Sequence, residues 1–167
     1  MIVPLTEHDI REAIEPGQKF PHNELVERWF VPDRPIRLLT PYFRVAAYAA
    51  SQQMRGADVD PERVADLART ETVEILGFVY SATRDLLASW SLTLRQRDKP
   101  VQPVSVESRC VFEVDEVAEA SGAPLRYRGW LAATFHLEAL DLNGPVLLTL
   151  SGDGPRRTDR INLGYFK

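Results

Sequence analysis

Apolar positions change their spacing near residue 70. Before it they recur every three or four residues, the period of a helix face; after it they mostly alternate, the period of a strand. The longest helical pattern covers 40–55. Thr40 can cap it, Pro41 suits the first helical position, and alanines 46, 47, 49 and 50 are strong helix formers. Arg55 and Gly56 suit the end of the helix. Phe43, Ala46, Ala47, Ala50 and Met54 make one stripe, widened by Tyr42, Val45 and Ala49. That stripe predicts a helix packed on a sheet, its alanines pressing on strands between 72 and 94. Arg44, set among apolar residues, should reach solvent at an edge or meet a carboxylate.

Two further helices have start signals. Over 5–17, Thr6 and Asp9 have capping-box spacing, Leu5 and Ile10 can staple, and Pro16-Gly17 should end the helix. Over 60–69, Asp60 caps and Pro61 opens a short helix stopping near Arg69. The stretch 18–23 reads as loop and 24–31 as either helix or strand; 36–39 is a short strand.

From 72 onward, 72–81 is apolar on both faces, so it should be a central or covered strand. Val73, Ile75 and Val79 take one face and Leu76, Phe78 and Tyr80 the other. A half-buried strand carries Trp90, Leu92 and Leu94, and a turn is expected at Asp98-Lys99-Pro100. The segments 103–107 and 109–114 alternate, and 115–122 suggests one helical turn. Residues 125–151 give the clearest strand signal, with a hairpin turn at Asn143-Gly144 and a bulge near Ala139. Another turn falls at Gly152-Asp153-Gly154-Pro155, and 156–165 reads as a polar edge strand. The fold expected is α+β and mainly antiparallel β: a β-sandwich or bent sheet with about three helices from the N-terminal part. A length of 167 residues suits a single domain, helix-rich over 1–70 and β-rich over 71–167.

Charge and cysteine content narrow the function classes. A net charge of −4 argues against a nucleic-acid-binding face. One cysteine excludes an internal disulfide framework. Residues 1–4 are too short for the apolar part of a signal peptide, so the chain reads as leaderless or as a mature segment restarted with methionine. Arg44, Ser51, Gln52 and Gln53 interrupt the most apolar helix, which rules it out as a membrane span.

Candidate chemistry is sparse. No H-E-x-x-H, phosphate loop or G-x-S-x-G is present, and neither a metal nor a cofactor is implied. His136 and Glu138, two apart on an expected strand, could share a face as two metal ligands or as a base with its orienting carboxylate. Glu113, Asp115, Glu116 and Glu119 concentrate carboxylates of the type hydrolases use. Cys110 beside Arg109 has the elements of a reactive thiol, but alternation pairs it with Phe112 on a buried face. Arginine and aromatic residues suggest contact surfaces instead: Trp29, Trp90, Trp130, Arg126, Arg128 and Arg44 are the candidate interaction residues.

Asp9-Ile10-Arg11-Glu12-Ala13-Ile14-Glu15-Pro16-Gly17 and Thr40-Pro41-Tyr42-Phe43-Arg44-Val45-Ala46 resemble stretches of a loose group of uncharacterised bacterial proteins, often secreted. The resemblance implies an extracytoplasmic bacterial setting, against a cytoplasmic one if the chain is naturally leaderless, and brings no activity with it. The function expected is a non-enzymatic interaction or structural module, a subunit of a larger assembly, with a protein partner or self-association. The alternatives are a small hydrolase using the carboxylates or His136, and a small-ligand carrier with a pocket between helix and sheet.

Overall fold

The computed structural model describes residues 5–19, 35–120 and 123–165. The 24–31 stretch with Trp29, the 18–23 loop beyond residue 19, and His22 lie outside the described residues. In chain order the elements are α1 (Glu7–Lys19), β1 (Ile36–Leu39), α2 (Pro41–Arg55), α3 (Pro61–Ala68), β2 (Thr72–Ser81), a one-turn helix α4 (Leu86–Ser89), β3 (Ser91–Gln96), β4 (Lys99–Val101), β5 (Ser105–Ala120), β6 (Ala123–His136), a 3-10 turn (Leu137–Ala139), β7 (Pro145–Ser151), β8 (Arg157–Asn162) and a closing 3-10 turn (Leu163–Tyr165). The strands form two four-stranded antiparallel sheets, β1-β2-β6-β5 (sheet A) and β4-β3-β7-β8 (sheet B). Their inner faces share one apolar core that includes Ile75, Leu131 and Phe135 from sheet A and Leu94, Leu148 and Leu150 from sheet B. The expected α+β, mainly antiparallel class is what the chain adopts.

Helix starts follow their caps. Thr6 and Asp9 exchange bonds as a capping box: Thr6 N–H donates to the Asp9 carboxylate at 2.9 Å and Asp9 N–H to Thr6 Oγ1 at 3.2 Å. Thr40 Oγ1 accepts from Phe43 N–H and Asp60 accepts from Glu62 N–H. Gly56, at φ 63°, closes α2 in the left-handed conformation.

The end expected at Pro16-Gly17 is overturned. α1 runs through Pro16 to Lys19. Pro16 has no N–H, so the Glu12 carbonyl one turn back loses its helical donor. Tyr42 of α2 replaces it: its hydroxyl donates to Glu12 O at 3.0 Å. The same bond fastens α1 to α2. The alanine stripe faces helices more than strands. Ala46 packs with Val45, with Ala13 of α1 and with Val64 and Ala68 of α3. The helices thus form their own apolar cluster beside the sandwich.

In the β part, 72–81 is the expected strand, central in sheet A with apolar residues on both faces. The helical turn expected over 115–122 is not formed over 115–120, because β5 continues as strand to Ala120 against β6; 121–122 lie outside the described residues. The turn before β4 falls at Arg97-Asp98, both at positive φ, one residue earlier than expected. Asn143-Gly144 turns the chain without closing a hairpin, since β6 and β7 belong to different sheets. The chain leaves sheet A through the 3-10 turn rather than a bulge at Ala139. This crossing seats Leu140 and Leu142 in the core. Gln96 of β3 stands in for a strand partner there: its amide donates to Asp141 O and accepts from Asp141 N–H, both at 2.7 Å.

Candidate interaction face

β2, β6 and β5 lie side by side, and directly opposed residues on antiparallel strands share a face. On the outer face of sheet A, Glu74 opposes Thr134, Leu76 opposes Ala132, Phe78 opposes Trp130 and Tyr80 opposes Arg128. β5 extends these rows: Glu107 opposes Ala132, Arg109 opposes Trp130 and Phe112 opposes Arg128. Between Arg109 and Phe112, β5 advances three residues while β6 advances two, so one residue is extra. That residue is Cys110, at φ 51°. The bulge puts Arg109 and Phe112 on the same face, which simple alternation forbids. It also leaves Cys110 exposed, overturning the buried placement expected beside Phe112.

The face has two halves. Toward the helices it is ionic. Arg44 of α2 reaches Glu74 Oε1 at 3.0 Å and the Thr72 hydroxyl at 3.3 Å. Arg109 takes the other Glu74 oxygen at 2.6 Å and also pairs with Glu107. Arg44 therefore meets a carboxylate, one of the two outcomes expected for it. Burial lowers its pKa more than Glu74 raises it. For Arg109, burial acts the same way, but the hydrogen bonds it donates to Glu107 and Glu74, together with their charges, outweigh it and its pKa is raised. Both remain cations at neutral pH.

Farther along, the face is aromatic. Phe78 meets Trp130 edge-on at 5.1 Å between ring centroids and Tyr80 at 5.4 Å. The Arg37 guanidinium lies 4.3 Å from the Trp130 ring centroid. Burial lowers the Arg37 pKa, with Cys110 acting in the opposite direction. At the far end Tyr80, Arg128 and Phe112 form one cross-strand row, and all three are exposed; Phe112 is 58% accessible. Arg128 and its neighbour Arg126 make no ion pair with the described residues.

Of the sequence candidates, Arg44, Trp130, Arg126 and Arg128 fall on or beside this face. Arg126 and Arg128 are exposed, whereas Trp130 is only 9% accessible. Trp90 is buried in the sandwich and donates from Nε1 to Tyr80 O at 2.9 Å. Trp29 lies outside the described residues. Tyr80, Phe112, Arg37, Glu74 and Arg109 belong to the face but were not singled out for it. The cue is the β2–β6–β5 register, which depends on a bulge with no glycine on its own strand to announce it.

His136 closes β6 and Glu138 sits in the 3-10 turn, so the strand face expected to hold them together ends before Glu138. Both are exposed. The side chains of Asp115, Glu116 and Glu119 lie outside those described. Among the described residues, no three His, Cys, Asp or Glu side chains gather to hold a metal ion. No described helix is long and apolar enough to cross a membrane.

Compared with known proteins, the chain matches no family model and no curated protein sequence.

Proposed function

We propose that the chain is a non-enzymatic protein-interaction module, a subunit of a larger assembly, and that it contacts its partner through the Tyr80–Arg128–Phe112 row. The observation that carries this reading is the row itself: two accessible aromatic rings flank a guanidinium that pairs with no described residue. Aromatic and arginine side chains are the types that dominate interface energetics, because they bury large areas at small entropic cost. On the same face, the ionic half ties β2 to α2 and β5 through Glu74. The partner surface should carry a carboxylate opposite Arg128 and an apolar socket on each side. A second copy is a poor occupant, since a two-fold contact through this row brings Arg128 against Arg128.

The test is affinity purification of the tagged full chain from its native cells after cross-linking, with Arg128→Glu and Tyr80→Ala/Phe112→Ala compared with wild type. All three positions are exposed, so thermal melts should stay close to wild type. A partner bound through the row is lost from both variants, by at least tenfold in recovered amount. Equal recovery with all three proteins overturns the reading.

A further inference from the structure

We infer that the cleft where sheets A and B separate, beside the far end of β2, binds a small amphipathic carboxylate: an apolar body with one anionic head. The cleft arises from strand lengths. β1 pairs with β2 only as far as Gly77, and the Phe78 N–H still reaches Pro35 O at 3.0 Å. Beyond that, no described strand continues sheet A on this side. Sheet B supplies the missing partners through side chains: Arg157 Nη2 donates to Phe78 O at 3.3 Å. Trp90, just before β3, donates to Tyr80 O.

The opening left behind is about 550 Å3, within the roughly 300–1,000 Å3 typical of small-molecule sites. Its described lining is aliphatic, aromatic, proline or glycine except for two residues, Arg156 and Arg157. The walls are firm. Asp153 accepts from the Ser81 hydroxyl at 2.8 Å and from Ala82 N–H at 2.9 Å, which clamps the β7–β8 turn onto the end of β2. Gly152 lets that turn lie against Trp90: a Cβ there would come within 2.4 Å of the Ser89 carbonyl and the indole.

The head group follows from charge. Arg157 pairs with Asp159 at 3.0 Å, which offsets its charge, yet its five donors are not exhausted by two partners. Arg156 is exposed and pairs with no described residue. Two arginines in the lining of an otherwise apolar slot match a carboxylate attached to a hydrocarbon or ring, and repel a cation of the same shape. This inference is independent of the partner surface. Tyr80 serves both, but Arg128 belongs only to the row and Arg156 only to the cleft.

Titration calorimetry of the full chain with decanoate, decanol and decyltrimethylammonium tests it, with Trp fluorescence as a second readout. Decanoate should bind saturably at one site per chain and at least fivefold more tightly than decanol. Arg156→Gln should weaken decanoate about five- to tenfold. Arg156→Glu should abolish the preference for the anion and favour the ammonium, while Arg128→Glu should leave decanoate binding unchanged. No saturable binding, equal affinity for decanoate and decanol, or indifference to Arg156→Glu would each overturn the assignment. A peptide ending in a free phenylalanine carboxylate has the same chemistry, and if it binds more tightly than decanoate the small-molecule source is wrong.

Discussion

The Glu12 carbonyl loses a donor to Pro16 and regains one from Tyr42 thirty residues away. From the sequence, Pro16 reads as a stop because the missing N–H is visible there and the distant hydroxyl is not. Tyr42→Phe keeps the ring and removes only that donor. It should cost about 1–1.5 kcal/mol in denaturant unfolding and loosen α1 more than α3 in amide exchange. Glu74 is a second residue on which distant elements depend, since its two oxygens hold Arg44 of α2 and Arg109 of β5. Glu74→Ala leaves two cations facing each other with their shared anion gone. A fully buried pair broken this way loses about 3–5 kcal/mol; with Arg109 partly exposed, about 2–3 kcal/mol is expected. Arg44→Met leaves Glu74 paired with Arg109 and fills the space with methylenes, so it should cost about 1 kcal/mol or less. Equal losses for the two variants, measured by urea denaturation, would contradict this ordering. Arg44 was legible in advance because a lone charge in an apolar turn must be answered; which carboxylate answers it depends on the fold.

Among the elements, starts were easier to read than irregularities. Thr6, Thr40 and Asp60 announce helices α1 to α3 because a cap is chemistry between neighbours. The bulge in β5 has no such local mark. Cys110 adopts φ 51° although nothing in its side chain favours that region. Cys110→Gly should therefore lie between neutral and about 1 kcal/mol more stable, whereas Cys110→Val should lose about 1–2 kcal/mol. Because the thiol is exposed, one equivalent should react with a disulfide reagent without denaturant; protection until unfolding would contradict the bulge geometry. The bulge also explains why the interaction face was only half legible. Arg126 and Arg128 could be named from composition, but the faces of Tyr80 and Phe112 need the register. Trp90 and Trp130, expected at a contact surface as aromatic anchors, take buried positions instead, as large rings do when a core or a covered face is within reach.

For the whole molecule, the split into a helical part and a two-sheet part was readable from the change of period near residue 70. The crossing between sheets was not, because Asn143-Gly144 carries the same local signal whether or not its flanking strands pair. The four outer strands carry devices that discourage pairing with another chain. β1 and β4 are short, β4 contains Pro100, β5 is bulged, and β8 turns the buried Asp159 inward against Arg157. Asp159→Val removes the charge guarding β8 and should produce concentration-dependent species larger than any wild type forms, measured by light scattering. A final consequence concerns time. β2 ends at Ser81 opposite Tyr127, but β5 and β6 stay paired out to Ala120 and Ala123. The outer part of that ribbon has no third strand among the described residues, and an unsupported pair is marginal in water. Backbone amides over 113–120 and 123–126 should exchange with deuterium at least tenfold faster than those over 130–136. The molecule then opens from the ribbon inward, and the Phe112–Arg128 row stands at the boundary between the part that breathes and the part that does not.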